Sequence, residues 1–287
     1  MKKFLCFVFV FFTIGYASAQ DDLLNQLDSN KPNSKNVETS AFKALQICNM
    51  QSTKLASKGE WYFLVSHRFG DITQGFDNFF GLDNALTKIG GIFSVTDWLS
   101  VGVSRQTHNK IYELTAKYKM ANQEEDGFPV TIVGYNTMDI NSALTTSQYP
   151  YLTFSDRLAY TTQLLVSRKV SNKFTLELAP IFVHKNLYDA VSEQKNTYLL
   201  GAGGRYKLSK RMSVNLEYAA RIGMPEGFTS PYHNPLTMGF DIETGGHVFQ
   251  LVLSNSQPMN DVAVFSNAAG SWNGGSLYFG FNMYRAF

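Results

Sequence analysis

From Gly59 to Phe287 the chain alternates apolar and polar side chains in segments of about 10–13 residues, a period of two sustained almost to the last residue. Trp61, Phe63, Val65 and Phe69 share one face, with Tyr62, Leu64, Ser66 and Arg68 on the other. The last segment repeats the pattern, Phe279, Phe281, Met283 and Phe287 against Tyr278, Gly280, Asn282 and Tyr284. Such segments exceed the usual globular strand of about 5–6 residues and fit a tilted strand crossing a bilayer, about 9–11 residues long. Twelve strands are expected, at 59–70, 84–95, 99–105, 109–121, 128–141, 155–170, 174–186, 197–209, 212–223, 234–244, 247–256 and 276–287. Segment 128–141 shows no clean apolar face, and Gly90-Gly91 interrupts the second segment.

The connections alternate in length. Short ones fall at 96–98, 122–127, 171–173, 210–211 and 244–246, and longer ones at 71–83, 142–154, 187–196, 224–233 and 255–275. Only the turn near Thr107 and His108 is short where a long loop is expected. Tight turns on one side and long loops on the other characterise an outer-membrane barrel, and an even strand count brings both ends of the barrel to the turn side. A soluble sandwich or lipocalin-like barrel shares the periodicity, because period two does not say which face points inward. The chain is also poor in charge, 17% against about 25% for soluble domains, yet no segment reaches 18 consecutive apolar residues. The fold class expected is an all-β, antiparallel transmembrane barrel of about twelve strands with a short polar N-terminal extension.

Residues 1–19 have the form of a secretory signal: Lys2 and Lys3, an apolar run from Phe4 to Ile14, then Ala17-Ser18-Ala19. Cleavage after Ala19 leaves 23 basic and 23 acidic residues, which speaks against binding nucleic acid through bulk charge. It also leaves Cys48 as the one cysteine, so no intrachain disulfide is expected. Residues 20–58 form the polar extension; within it, 41–50 reads equally as a short strand or as a segment tucked into a lumen. The chain ends on Phe287 behind alternating aromatics, a pattern suited to the outer-membrane insertion machinery.

Three stretches, Ser66-His67-Arg68-Phe69-Gly70, Phe79-Phe80-Gly81-Leu82-Asp83-Asn84-Ala85 and Thr96-Asp97-Trp98-Leu99-Ser100-Val101-Gly102, resemble a Bacteroidota family of membrane-bound β-barrel proteins of unknown function. The resemblance implies an outer-membrane barrel, runs from about residue 21 to the C-terminus, and carries no catalytic residues.

The candidate site is the lumen. Arg157, Glu177, Arg205, Glu217, Arg221 and Asp241 fall on the face opposite the apolar stripes, as do Lys88, Glu113 and Lys117. They can form a charged constriction that selects solutes, or an ion-pair ladder that fills a small lumen. The five histidines show no compact Ser/His/acid arrangement and no metal-ligand spacing, so no catalytic residue, metal or cofactor is expected. Gly201, Gly203 and Gly204 lack the strand–loop–helix context of a dinucleotide fingerprint, and Gly201 and Gly203 are expected to relieve crowding inside the barrel. Aromatics at Phe76, Phe79, Phe80, Tyr149, Tyr151, Phe228, Tyr232, Phe265 and Trp272 are expected on external loops, for a solute, a protein partner or the interfacial girdle. The expectation is therefore a narrow channel or transporter for small solutes, gated or open, with a closed barrel serving as anchor or partner platform as the alternative. A lipid-modifying barrel enzyme is less favoured.

Overall fold

The structure is a computed structural model and describes residues 41–287. The expected signal sequence, 1–19, lies outside the described residues, as does 20–40. Twelve strands follow one another: β1 (Trp61–Asp71), β2 (Leu86–Thr96), β3 (Leu99–Gln106), β4 (Ile111–Ala121), β5 (Thr131–Asn141), β6 (Leu158–Lys169), β7 (Phe174–Lys185), β8 (Asn196–Lys207), β9 (Met212–Ile222), β10 (Leu236–Thr244), β11 (His247–Ser254) and β12 (Tyr278–Ala286). Each pairs antiparallel with its neighbours, and β1 pairs with β12 to close the barrel. One short helix, α1 (Asp261–Ser266), lies in the β11–β12 connection. No helix among the described residues is long and apolar enough to cross a membrane.

The direction of the faces follows from burial. On β7, Leu176 and Leu178 are exposed while Thr175, Glu177 and Ala179 are buried; on β9, Leu216 is exposed and Glu217 buried. Apolar side chains thus point out and polar ones in, the inverse of a water-soluble barrel, because the solvent outside is hydrocarbon. An 11-residue strand at about 3.3 Å per residue, tilted about 40°, rises about 28 Å, enough to cross the apolar band. Trp61 and Phe287 stack at the turn end with ring centroids 4.2 Å apart, and Arg285 lies over the Phe287 ring at 4.5 Å, where it can reach the headgroups. His67 is on the outer wall, stacked on Phe281 and hydrogen-bonded to Thr87, an ordinary ring contact.

All five tight turns lie at one end, including Gly245-Gly246, whose positive φ angles of 27° and 97° suit a two-residue hairpin turn. The connection at 107–110 is also short, a single 3-10 turn at His108–Lys110 on the loop side. Gly90-Gly91 does not break β2, which pairs continuously with β1 through both. Strand β5 shows no clean face because Val133 and Tyr135 point into the lumen while Asn136 points out. Two expectations need correction. Arg157 is not on a strand: β6 starts one residue later, and Arg157 closes a 3-10 turn (Ser155–Arg157) at the loop-side rim. Phe265 is not on an external loop, because the 255–275 connection folds back into the barrel and buries it completely.

Candidate functional site: a lumen filled from both ends

Residues 41–56 enter the lumen from the turn end as a hairpin. Thr175 Oγ1 donates to the Ala41 carbonyl at 3.0 Å and Ser94 Oγ to the Ala56 carbonyl at 2.9 Å, both near the turns. Between them the hairpin closes on itself, with Ile47 N donating to Met50 O and Ser52 N to Leu45 O. Two paired residues cannot form a sheet alone, so the tip depends on the wall for its remaining polar groups.

The wall supplies them. The Glu217 carboxylate accepts three backbone N–H groups, from Cys48 (2.9 Å), Asn49 (2.8 Å) and Met50 (2.9 Å). Asn282 Nδ2 donates to Cys48 O at 2.8 Å, and Gln250 Nε2 to Ile47 O at 2.9 Å. Arg68, inward-facing and 1% exposed, donates to Asn49 Oδ1 at 2.8 Å. Lys117 Nζ holds the two legs together through Leu45 O (2.9 Å) and Ser52 O (3.1 Å), and Glu177 accepts from Thr53 N at 3.1 Å. Glycines make the room. A Cβ on Gly201 would stand 2.5 Å from Met50 Cε and one on Gly203 2.5 Å from Ile47 Cδ1, so crowding comes from the hairpin itself.

The second insert comes from the loop end. Lys88, paired with Glu113 at 2.7 Å, also donates to Met259 O at 3.1 Å. Asn260 donates to Asp139, and Asp261 accepts from Gln163. All six residues of α1 are buried, and Val262, Val264 and Phe265 join Met50 of the hairpin in one apolar cluster with Val133, Leu165 and Leu199. The inserts also meet through Gln51 Nε2, 3.5 Å from Asp261 Oδ1. Truncating Phe265 to Ala is expected to destabilise this junction by about 3–5 kcal/mol. The readout is a lower temperature for the gel-mobility change that marks barrel unfolding.

Asp261 belongs to the insert and not to a spanning strand. Burial, reinforced by the Glu113 carboxylate and opposed by Lys88, pushes its carboxyl up to about 7. A carboxyl raised in the folded state favours the seated insert while neutral, and that stability is lost as pH rises through the folded value. Amide exchange across 259–266 is therefore expected to accelerate between about pH 4 and 7, and to level off above that, by more than the intrinsic chemistry requires.

Of the six residues marked from sequence, Glu177, Arg205, Glu217 and Asp241 are buried in the lumen wall. Arg205 pairs with Glu243 at 2.6 Å and lies 3.9 Å from Asp241, which also accepts from Asn215 and Gln250. Arg221 is higher, donating to Ser266 O (3.0 Å) and Tyr232 O (3.0 Å), so it clamps the second insert. Arg157 is at the rim, donating to the Asn141 and Leu144 carbonyls. Sequence reasoning did not single out Arg68, Asp139, Gln163, Gln250 or Asn282; the alternation put Arg68 and Asn282 on the polar face, whereas the irregular β5 pattern hid Asp139.

Above the inserts a cavity of about 970 Å³ opens among the long loops, lined by Asp139, Arg157, Lys185, Glu193 and Tyr149 among others. Below it the hairpin packs against the lumen wall. A void between the hairpin and β1–β4 measures only about 20 Å³, room for about one water. His184 bonds Asn186 and Asn196, and Asp189 bonds Ser192, so these groups do not form a triad.

A closed antiparallel barrel with an apolar exterior and a polar, packed lumen defines a membrane-spanning β-barrel protein. The chain belongs to the membrane bound beta barrel domain family (DUF5777), matched over residues 42–287. Among solved structures it is similar to the KdgM porin in complex with disordered oligogalacturonate (9% identity, 79% of this chain and 99% of that one, TM-score 0.49). It is also similar to an outer membrane channel from Pseudomonas putida F1 (13%, 82% and 97%, TM-score 0.43) and to Omp33 from Acinetobacter baumannii (10%, 81% and 100%, TM-score 0.43). No curated protein matches the chain.

Proposed function

We propose that this protein is an outer-membrane channel for small solutes, held shut at rest by the 41–56 hairpin. The observation that carries this reading is the grip of Glu217 on three backbone N–H groups of the hairpin tip. The contact is strong but non-covalent, and the tip belongs to a segment that pairs with no barrel strand. Withdrawal toward the turn side would expose Glu177, Arg205, Glu217 and Asp241 as the lining that selects by charge. Solutes would collect first in the 970 Å³ cavity, past Arg157 and Arg221. Export by residues 1–19, insertion through the strand ending in Phe287, and an origin in a Bacteroidota envelope belong to the same reading.

The second reading, a permanently closed barrel serving as anchor or partner platform, is favoured by one observation, the apolar seal of Met50 against Val262, Val264 and Phe265. Single-channel recording separates the two, using the mature protein in planar bilayers with and without residues 20–58. Rare or no steps from the intact chain and regular steps after removal of the hairpin support the gated channel. Silence from both, with heat-modifiable migration proving a folded barrel, would overturn it and leave the platform.

A further inference from the structure

The outer wall carries one feature that a lipid environment does not explain. Asn136 lies halfway along β5 and points outward, its Nδ2 donating to Thr162 Oγ1 at 2.9 Å and its Oδ1 accepting from Tyr118 OH at 3.1 Å. Its register partners are Ala116 on β4 and Thr162 on β6, so the group is at mid-height. The charged groups Arg105, Arg168 and Arg285, which also point outward, sit near strand ends, Arg105 beside the Tyr112 ring toward the loops and the other two toward the turns. The same wall is hollowed into a shallow groove of about 480 Å³, between Leu114 and Tyr160 with Asn136 and Thr162 in its floor.

A carboxamide has two N–H donors and an oxygen with two lone pairs, and a hydroxyl also has a proton to give. Asn136 spends one donor and one lone pair on Thr162 and Tyr118. The second N–H and the Thr162 proton face the bilayer interior, where an acyl chain fills space but accepts no hydrogen bond.

We propose that this wall, β4–β6, is the interface between two copies of the chain. Copies inserted the same way up can be related by a two-fold axis only along the membrane normal. Each residue then meets residues at its own depth, and Asn136 faces the Asn136–Thr162 pair of its partner. The amide is self-complementary in that arrangement, each N–H finding the other copy's oxygen. The small side chains at Ala116 and Thr162 let the walls approach, while Leu114, Met138 and Tyr160 surround the polar pair. This explains why β5 carries its polar residue on the lipid side, and it holds whether or not the lumen opens.

The test uses the full chain in native lipid nanodiscs and in whole outer membranes. The unaltered protein is expected to show twice the monomer mass. Asn136→Leu should weaken self-association about tenfold, the scale of one polar contact in lipid, and keep heat-modifiable migration. Leu251→Ala, on the outer face of β11, should leave association unchanged. Thr162→Cys should yield a disulfide-linked band at twice the chain mass on mild oxidation, since Cys48 is buried in the lumen and silent. A monomer at all concentrations, an unchanged Asn136→Leu, an equal loss from Leu251→Ala, or cross-linking only to a chain of different mass would each overturn the proposal.

Discussion

Glu217→Ala is expected to unseat the hairpin and turn a silent barrel into a conducting one. The substitution leaves three buried N–H groups, on Cys48, Asn49 and Met50, without their acceptor. Each stranded donor costs about 1–3 kcal/mol, and their shared loss amounts to about 3–5 kcal/mol of hairpin seating once neighbours relax. Glu217→Gln should recover part of the seating, because an amide oxygen in the Oε2 place still accepts from Cys48 and Met50 while the amide nitrogen turns a donor toward the Asn49 N–H. The barrel strands keep their ladder, so folding in micelles should survive. The expected readings are protease sensitivity at 41–56 and frequent conductance steps where the parent shows few. A variant as quiet and as protease-resistant as the parent would show that the apolar seal around Phe265, and not Glu217, holds the lumen shut.

The second large effect is at the seam. Gly280 on β12 pairs with Arg68 on β1, where the register shifts before Asp71. A Cβ there would press on the His67 carbonyl oxygen and come within 2.7 Å of Arg68 Cδ. The first obstacle is backbone, which cannot swing aside as a side-chain end can. Arg68 is itself fixed by Asn49, Asn282 and two carbonyls. Gly280→Ala is therefore expected to strain barrel closure by about 1–3 kcal/mol or more, with a lower yield of heat-modifiable protein on refolding. Gly203→Ala, where the clash is only with the flexible end of Ile47, should cost much less and serves as the comparison.

Much of the barrel could be read from the residues because a strand in lipid writes its environment at every second position. The alternation locates all twelve strands to within about three residues, even where Gly90-Gly91 interrupts the pattern, since β1 and β3 supply partners on both sides. The strand that resisted reading, β5, breaks alternation on both faces: Tyr135 and Val133 pack inward on the lumen cluster and Asn136 faces out. The charges of the candidate site were legible as a face but not as a set. Nothing in the period of β6 distinguishes Arg157 at the rim from a lumen residue, because a strand's first residue is decided by the turn before it.

The sequence by itself determined the class of the protein, through segment length, alternation and the asymmetry of turns and loops, all of which are local. It left open whether 41–50 enters the lumen, and it misplaced Phe265 on an external loop. Both placements depend on partners far along the chain. Glu217 meets Cys48 across 169 residues and Arg221 reaches Ser266 across 45, and no periodicity records such pairings. Only the closed barrel brings them together, and it does so because a lumen cut off from bulk water must satisfy its polar groups from within.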